Sequence, residues 1–167
     1  MDLVPGANTA GFNTAGVSEL PLETAATMND SWGYHLGDRN FKSTVQIIRL
    51  LVGAAGRNAN LLLNIGPMPT GEIQPEFQTR LREVGQWLQQ YGASIYGTRG
   101  GPVPPRPWGV TTQSGDRVFV HILDWPDADL SLPPLPRRVR SVSAFFNGAA
   151  LPFREAPSGV TITLPTQ

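Results

Sequence analysis

The sequence predicts a chain of two textures, α/β in its first hundred residues and all-β in the remainder. Three observations carry this. Leu61 to Ile65 is a short apolar run that stops at Gly66-Pro67, as a strand buried on both faces would. Segments with helical spacing flank it on either side. Past Tyr96-Gly97-Thr98 the chain changes to Pro102, Pro104, Pro105 and Pro107 and then to short, alternating, β-branched stretches.

Taken in order, residues 1 to about 20 are rich in Gly, Ala, Asn and Thr without periodicity and read as a long loop. Leu22 to Tyr34 reads as a polar loop holding Glu23 and Asp30 and ending in Trp32-Gly33-Tyr34. Asn40 is placed to cap a helix whose stripe is Phe41, Val45, Ile48 and Val52, widened by Ile47, Leu51 and Ala55 and stopped by Gly56. The strand from Leu61 ends near Asn64, and Gly66-Pro67-Met68-Pro69-Thr70-Gly71 is dense in turn formers. Pro75 suits the first turn of a second helix with Phe77, Leu81, Val84 and Leu88 on one face and Gly92 as its stop. A parallel strand with two apolar faces needs sheet partners. Residues 1–40 offer no strand of comparable strength, so the first half reads as the tail end of a larger α/β domain.

In the second half, Trp108–Thr112, Arg117–Leu123, Val139–Phe146 and Val160–Leu164 read as strands, and about five of them suggest a small antiparallel sandwich. The proline run marks the boundary, giving units 1–98 and 99–167.

Composition narrows the function. The chain has 167 residues, 40% hydrophobic and 16% charged, with 13 basic and 13 acidic side chains. That balance leaves no electrostatic footprint for nucleic acid or an anionic membrane surface. No run approaches the ~20 apolar residues of a membrane span, and the opening Met1-Asp2-Leu3-Val4-Pro5-Gly6 lacks the pattern of a signal peptide. There is no cysteine, and only His35 and His121 represent histidine, so no thiolate site or His-rich metal site is expected. The only lysine is Lys42, the other basic residues being arginine. Phosphate-binding loops and nucleophile elbows have no counterpart. What remains is carboxylates beside aromatic rings. That arrangement suits a sugar, since glycoside hydrolysis uses one carboxylic acid to protonate the departing oxygen and a second carboxylate across the ring. On spacing alone, Glu23 and Asp30 read as surface acids.

The ordered series Glu23-Thr24, Ser31-Trp32-Gly33-Tyr34, Ala55-Gly56-Arg57-Asn58-Ala59-Asn60-Leu61-Leu62-Leu63-Asn64-Ile65-Gly66-Pro67, Gly71-Glu72-Ile73, Gly85-Gln86-Trp87-Leu88 and Gly92 to Arg99 resembles the late part of α-L-fucosidases of glycoside hydrolase family 29. The resemblance covers residues ~20 to 100 closely and the β-rich remainder more loosely. It implies the terminal portion of a (β/α)8-like barrel followed by a β-sandwich, a retaining mechanism that removes terminal α-L-fucose from oligosaccharides or glycoconjugates, and no cofactor. It also implies that Glu23 is the general acid/base, although Leu22 and Ala25 stand where the family often has Trp and Cys. Such a donor requires a dry setting or a neighbouring carboxylate. Trp32 is then either a stacking face for fucose or a packing residue, and Asn64 either reaches substrate or fixes its loop. Trp87 reads as core, Tyr96 and Trp108 as packing across the junction, and Asp124, Trp125, Asp127 and Asp129 as a solvated turn.

The family nucleophile, an Asp on an earlier strand, has no counterpart, since Asp2 is the sole acid before Glu19 and lacks its aromatic setting. The expectation is therefore a C-terminal fragment, inactive alone, whose partner would be the missing N-terminal part of the barrel. The alternative is a non-catalytic carbohydrate-binding or interaction module. Family members are often secreted, periplasmic or lysosomal, and this sequence fixes no compartment.

Overall fold

The computed structural model describes residues 17–125 and 128–165. The first part runs strand, helix, strand, helix: β1 (Leu22–Thr27), α1 (Thr44–Ala55), β2 (Ala59–Asn64) and α2 (Pro75–Tyr91). β1 and β2 pair in parallel, with Leu22 opposite Ala59, Glu23 opposite Asn60 and Thr27 opposite Asn64. No third strand joins them among the described residues.

β1 corrects the sequence reading, which placed Glu23 in a polar loop and looked elsewhere for a partner of the Leu61 strand. Leu22-Glu23-Thr24-Ala25-Ala26-Thr27 lacks a run of large apolar residues, yet Thr24, Ala26 and Thr27 are buried. Small side chains can be buried there without advertising a core in the sequence.

The first helix begins later than expected. Ser43, not Asn40, is its cap: Ser43 Oγ accepts from the Gln46 N–H, and Gln46 Oε1 accepts from the Ser43 N–H at 2.7 Å. This reciprocal pair satisfies two amide donors that a helix start leaves open. Ile47 and Val52 are buried as predicted, whereas Val45 is exposed. α2 matches its prediction in start and stop, with Pro75 in the first turn and Gly92 at the carboxyl end. Phe77 and Val84 from α2, Ile47 from α1 and Met28 after β1 form the core of this part, flanked by Phe41, Leu63, Ile65 and Leu88.

The second part contains two three-stranded antiparallel sheets. One has the order β3 (Arg99–Gly100), β4 (Gly109–Ser114), β5 (Arg117–Ile122); the other the order β6 (Asp129–Leu132), β8 (Gly159–Thr163), β7 (Phe153–Ala156). Leu130 and Leu132 of β6 and Val160 and Ile162 of β8 make a core against which Val120 and Ile122 of β5 pack, so the sheets share one apolar layer, as the sandwich reading expects. Val139–Phe146 is not a strand. Val139 and Val142 reach the core, but the backbone folds on itself at Ala144–Gly148, with a single bridge between Ser143 and Ala150. β6 and β7, four residues each, take its place.

The proline run does not hold the two parts apart. Arg49 on α1 donates through Nη1 to Leu123 O and through Nη2 to Asp124 Oδ1, both at 2.6 Å. The rings of Trp87, Tyr91, Phe145 and Phe119 follow one another at centroid spacings of 5.3, 5.9 and 5.7 Å. This path replaces the expected one through Tyr96 and Trp108: Tyr96 is 66% exposed, and Trp108 packs within the β core. Gly56 sits against β4, where an added Cβ would lie 2.3 Å from Val110 Cβ. Below these, the Thr112 hydroxyl donates to Ser94 O at 2.7 Å. With that proton engaged, the hydroxyl accepts from His121 Nε2, 2.8 Å away. Burial pushes the His121 imidazole down to about 4, against an opposing bond to the Ser94 carbonyl.

Two predictions follow from this junction. Gly56→Ala is expected to lower stability by about 1–3 kcal/mol through overpacking, while Gly85→Ala, whose Cβ meets nothing within 4 Å, raises it by up to ~1 kcal/mol; urea unfolding of both variants checks the contrast. Because the unfolded chain takes up a proton on His121 near pH 6.5 and the folded one only near 4, stability is complete above 6.5 and falls as pH drops toward 4. The loss reaches at most about 3 kcal/mol, and His121→Gln should flatten that stretch of the stability-against-pH curve.

Candidate functional site

In parallel α/β architecture, loops leaving the carboxyl ends of strands build the site. Here two such loops meet. The chain leaves β1 through Met28 and Asn29 into residues 30–42, and leaves β2 through Ile65 and Gly66 toward α2.

The first loop is held by a polar network. Asp38 Oδ2 accepts from the Asp30 N–H at 3.0 Å and from Ser31 Oγ at 2.7 Å, and its Oδ1 accepts from the Asn40 N–H at 3.2 Å. Asn40 Nδ2 donates to Asp30 Oδ2 at 2.9 Å. Burial would raise the Asp38 carboxyl, but these hydrogen bonds outweigh it and hold the group below the ordinary value of 3.8. Beneath the loop, Lys42 is buried; its N–H donates to Met28 O at 2.8 Å and its Nζ to Asn29 O at 3.1 Å. Burial lowers the Lys42 ammonium from its usual range, with Asp30 and Asp38 pulling the other way. The Thr27 hydroxyl also donates to Asn29 O.

The second loop clamps the first. Asn64 Nδ2 donates to Trp32 O at 2.7 Å, a bond that ties the two loops together. Gly66 packs on the same turn: a Cβ there would lie 2.4 Å from Gly33 C and 2.6 Å from Tyr34 N. Only a glycine admits the backbone of residues 33 and 34. Trp32 stands on this rim 51% exposed, placed as a ring that a ligand could cover rather than as a core residue.

Glu23 is elsewhere. It lies opposite Asn60 while the rim begins at the Thr27–Asn64 level, four residues and ~13 Å along the strand. It is exposed, so the dry environment that its expected role demands is not provided by the described residues. The structure thus brings Trp32 and Asn64 together and leaves Glu23 apart from them. In the β part, Asp124 is taken up by Arg49, Asp129 accepts from the Thr163 hydroxyl at 2.9 Å, and Trp125 is exposed; Asp127 lies outside the described residues. No group of three or more metal-binding side chains occurs among the described residues.

Sequence reasoning passed over Asp38 and Lys42. Asp38-Arg39-Asn40 is a local capping pattern of the kind that organises loops, whereas a lone lysine such as Lys42 has no pattern around it that marks a role.

The clamp can be tested by amide hydrogen exchange. Asn64→Leu is expected to speed exchange at Gly33 and Tyr34 while costing at most about 1 kcal/mol of global stability, one partly exposed hydrogen bond. Gly66→Ala should move the same loop further, because backbone rather than a flexible side chain must yield. Unchanged exchange in both would show that the loop holds itself.

The profile of the Alpha-L-fucosidase family matches residues 9–93. The alpha-L-fucosidase of Branchiostoma floridae is 33% identical over 170 residues, covering 93% of this chain and 36% of that protein. Among solved structures, alpha-L-fucosidase isoenzyme 1 from Paenibacillus thiaminolyticus superposes with a TM-score of 0.80 at 35% identity, over 88% of this chain and 36% of that one. The Thermotoga maritima alpha-fucosidase in complex with fucose gives 0.77 at 28% identity, over 89% and 37%. The chain therefore spans about a third of the length of the relatives it matches. With the family profile covering half of its residues, this chain belongs to the α-L-fucosidase family.

Proposed function

We propose that this chain forms the closing part of a (β/α)8-like catalytic domain, residues 1–98, and its following β domain, residues 99–167, in a retaining glycoside hydrolase that removes terminal α-L-fucose from oligosaccharides or glycoconjugates. The observation that carries the reading is the rim: an exposed Trp32 on a loop that Asn64 and Gly66 lock at the carboxyl ends of two parallel strands. An indole face offers the C–H surface of a sugar a flat apolar partner, and a locked loop loses little entropy when the sugar arrives. The family's relatives bear the name of the activity, and one was solved with fucose bound.

The remaining strands and the nucleophilic aspartate would come from residues outside the described part, whose exposed Val45 and Leu62 supply apolar surface for further elements. Lys42 and Asp38 position the loop and need not touch substrate. The proton donor is the open role. Resemblance favours Glu23, whereas its place on β1 favours a group nearer the Trp32 rim, and we give the geometry more weight.

Two experiments bear on this. The isolated 167-residue chain is expected to release no 4-nitrophenol from 4-nitrophenyl α-L-fucoside; turnover that Glu23→Gln abolishes would overturn both the missing nucleophile and our placing of the donor. In an assembly made active by supplying the remaining barrel strands, Trp32→Ala is expected to raise KM about tenfold, or ~1.4 kcal/mol of lost ring contact, and Glu23→Gln to leave kcat within a few-fold. A fall in kcat of ~100-fold or more for Glu23→Gln would make it the general acid/base after all.

A further inference from the structure

Residues 144–149 fold back on themselves beside the junction of the two parts. The Ala144 N–H donates to Ala149 O and the Gly148 N–H to Ala144 O, both at 2.8 Å, and Ser143 bridges Ala150. Asn147 and Gly148 stand exposed at the tip. Gly148 has a φ of 71°, and a Cβ there would meet nothing within 4 Å. Just before them comes Phe145, whose ring lies 5.9 Å from Tyr91 of α2 and 5.7 Å from Phe119 of β5.

Of the asparagines in this chain, Asn147 alone is followed by glycine. Its Oδ1 accepts from the Ala149 N–H at 3.0 Å, an Asx turn in which the side chain folds back over the Gly148 peptide. This has two effects. The amide carbon Cγ is carried to the side on which the Gly148 nitrogen stands, and the Ala149 N–H stabilises the charge that develops on Oδ1 when Cγ is attacked. Gly148 has no side chain to obstruct the approach, and its backbone turns freely. The opposing restraint is the bond from the Gly148 N–H to Ala144 O, which must open before that nitrogen can react. Other asparagines lack this setting: Asn29 is buried, and Asn64 is engaged with Trp32 O and followed by the branched Ile65.

We propose that Asn147 is a site of spontaneous modification at which the turn supplies its own nucleophile. The Gly148 nitrogen gives its proton to solvent and bonds to Asn147 Cγ; the Cγ–Nδ2 bond breaks, and Nδ2 takes up a proton and leaves as ammonia. Water then opens the five-membered imide. Addition at Cγ gives aspartate, and addition at the Asn147 backbone carbonyl gives isoaspartate, in which the main chain runs through Cβ and Cγ and gains a methylene. Each route consumes one water and releases one ammonia, with no change of oxidation state. The isoaspartyl form lengthens a loop closed by the Ala144–Ala149 bond and shifts Phe145 from its place between Tyr91 and Phe119, loosening the joint between α2 and the β part. Aspartate keeps the main chain and an oxygen for the Ala149 N–H, so it leaves the joint intact.

The test incubates the full 167-residue chain in mildly alkaline buffer beside a synthetic peptide of residues 143–150, with conversion followed by peptide mapping and mass spectrometry. Asn147 is expected to convert before any other asparagine, at a rate about two- to tenfold below that of the peptide, the effect of opening one hydrogen bond of ordinary strength. The isoaspartyl fraction, separated by ion exchange, is expected to melt about 2–4 °C below the unmodified chain, while Asn147→Asp melts with the unmodified chain. A rate more than about tenfold below the peptide's, or another asparagine converting first, would overturn the site. An isoaspartyl fraction that melts with the unmodified chain, or an Asn147→Asp variant that melts as low as that fraction, would overturn the effect on the joint.

Discussion

The close approach of Gly66 to the backbone of Gly33 and Tyr34 is the constraint on which the rest of this structure turns. It joins two segments that are thirty residues apart in sequence, and it can exist only if β1 and β2 lie side by side in parallel register, with both chain exits on the same edge. Parallel pairing in turn requires a crossover, which α1 provides. Asn64 adds direction to this contact: its amide fixes the height of the Trp32 carbonyl, while Asp38 and Lys42 fix the far side of the same loop. Each anchor alone is a modest hydrogen bond. Their joint effect is to leave Trp32 exposed on a backbone that is anchored from both sides.

How much of this could be read from the sequence depended on how each element is stabilised. β2 and α2 were legible because large apolar residues, a proline and a glycine mark them directly: Leu61 to Leu63, Pro75, Gly92. β1 was not, because it is buried through Ala26, Thr24 and Thr27, whose small side chains carry little hydrophobic signal. Helix α1 was found but its start was misplaced, since Asn40 and Ser43 are equally acceptable caps in isolation and only the engagement of Asn40 by Asp30 and Asp38 removes it from the choice. Val139–Phe146 carries strand-like composition, yet its backbone bonds locally around Gly148, a tertiary outcome that composition does not record. Of the candidate site, Trp32 and Asn64 were visible through resemblance, and their contact with each other was not.

The junction between the two parts shows that a proline-rich connection does not by itself mean independence. Prolines at 102, 104, 105 and 107 prevent regular structure locally, but Arg49 spans to the Leu123 carbonyl and Asp124, and a file of aromatic rings runs from α2 into the β part. The Arg49–Asp124 pair is partly exposed and contributes little as a charge interaction. The weight falls on the buried contacts, where Gly56 admits Val110 and Thr112 links Ser94 to His121. A β part tied this firmly to α1 and α2 acts as a buttress for the helices that pack beneath the rim.

Strand direction decides what the individual acids can do. A carboxylate near the amino end of a parallel strand faces the stability side of an α/β fold, and one at or beyond the carboxyl end faces the site. Glu23 is the second residue of β1, whereas Asp30 and Asp38 follow its end. Both rim acids are engaged, Asp30 by Asn40 and Asp38 by Ser31 and two backbone amides, and the bonds to Asp38 hold its carboxyl below the ordinary value, on the ionised side. A group fixed as an anion makes a poor proton donor to a departing sugar oxygen and a good scaffold. The rim assembled by these residues is therefore a hydrogen-bonded scaffold at the carboxyl ends of the strands, with Glu23 set back from it along β1.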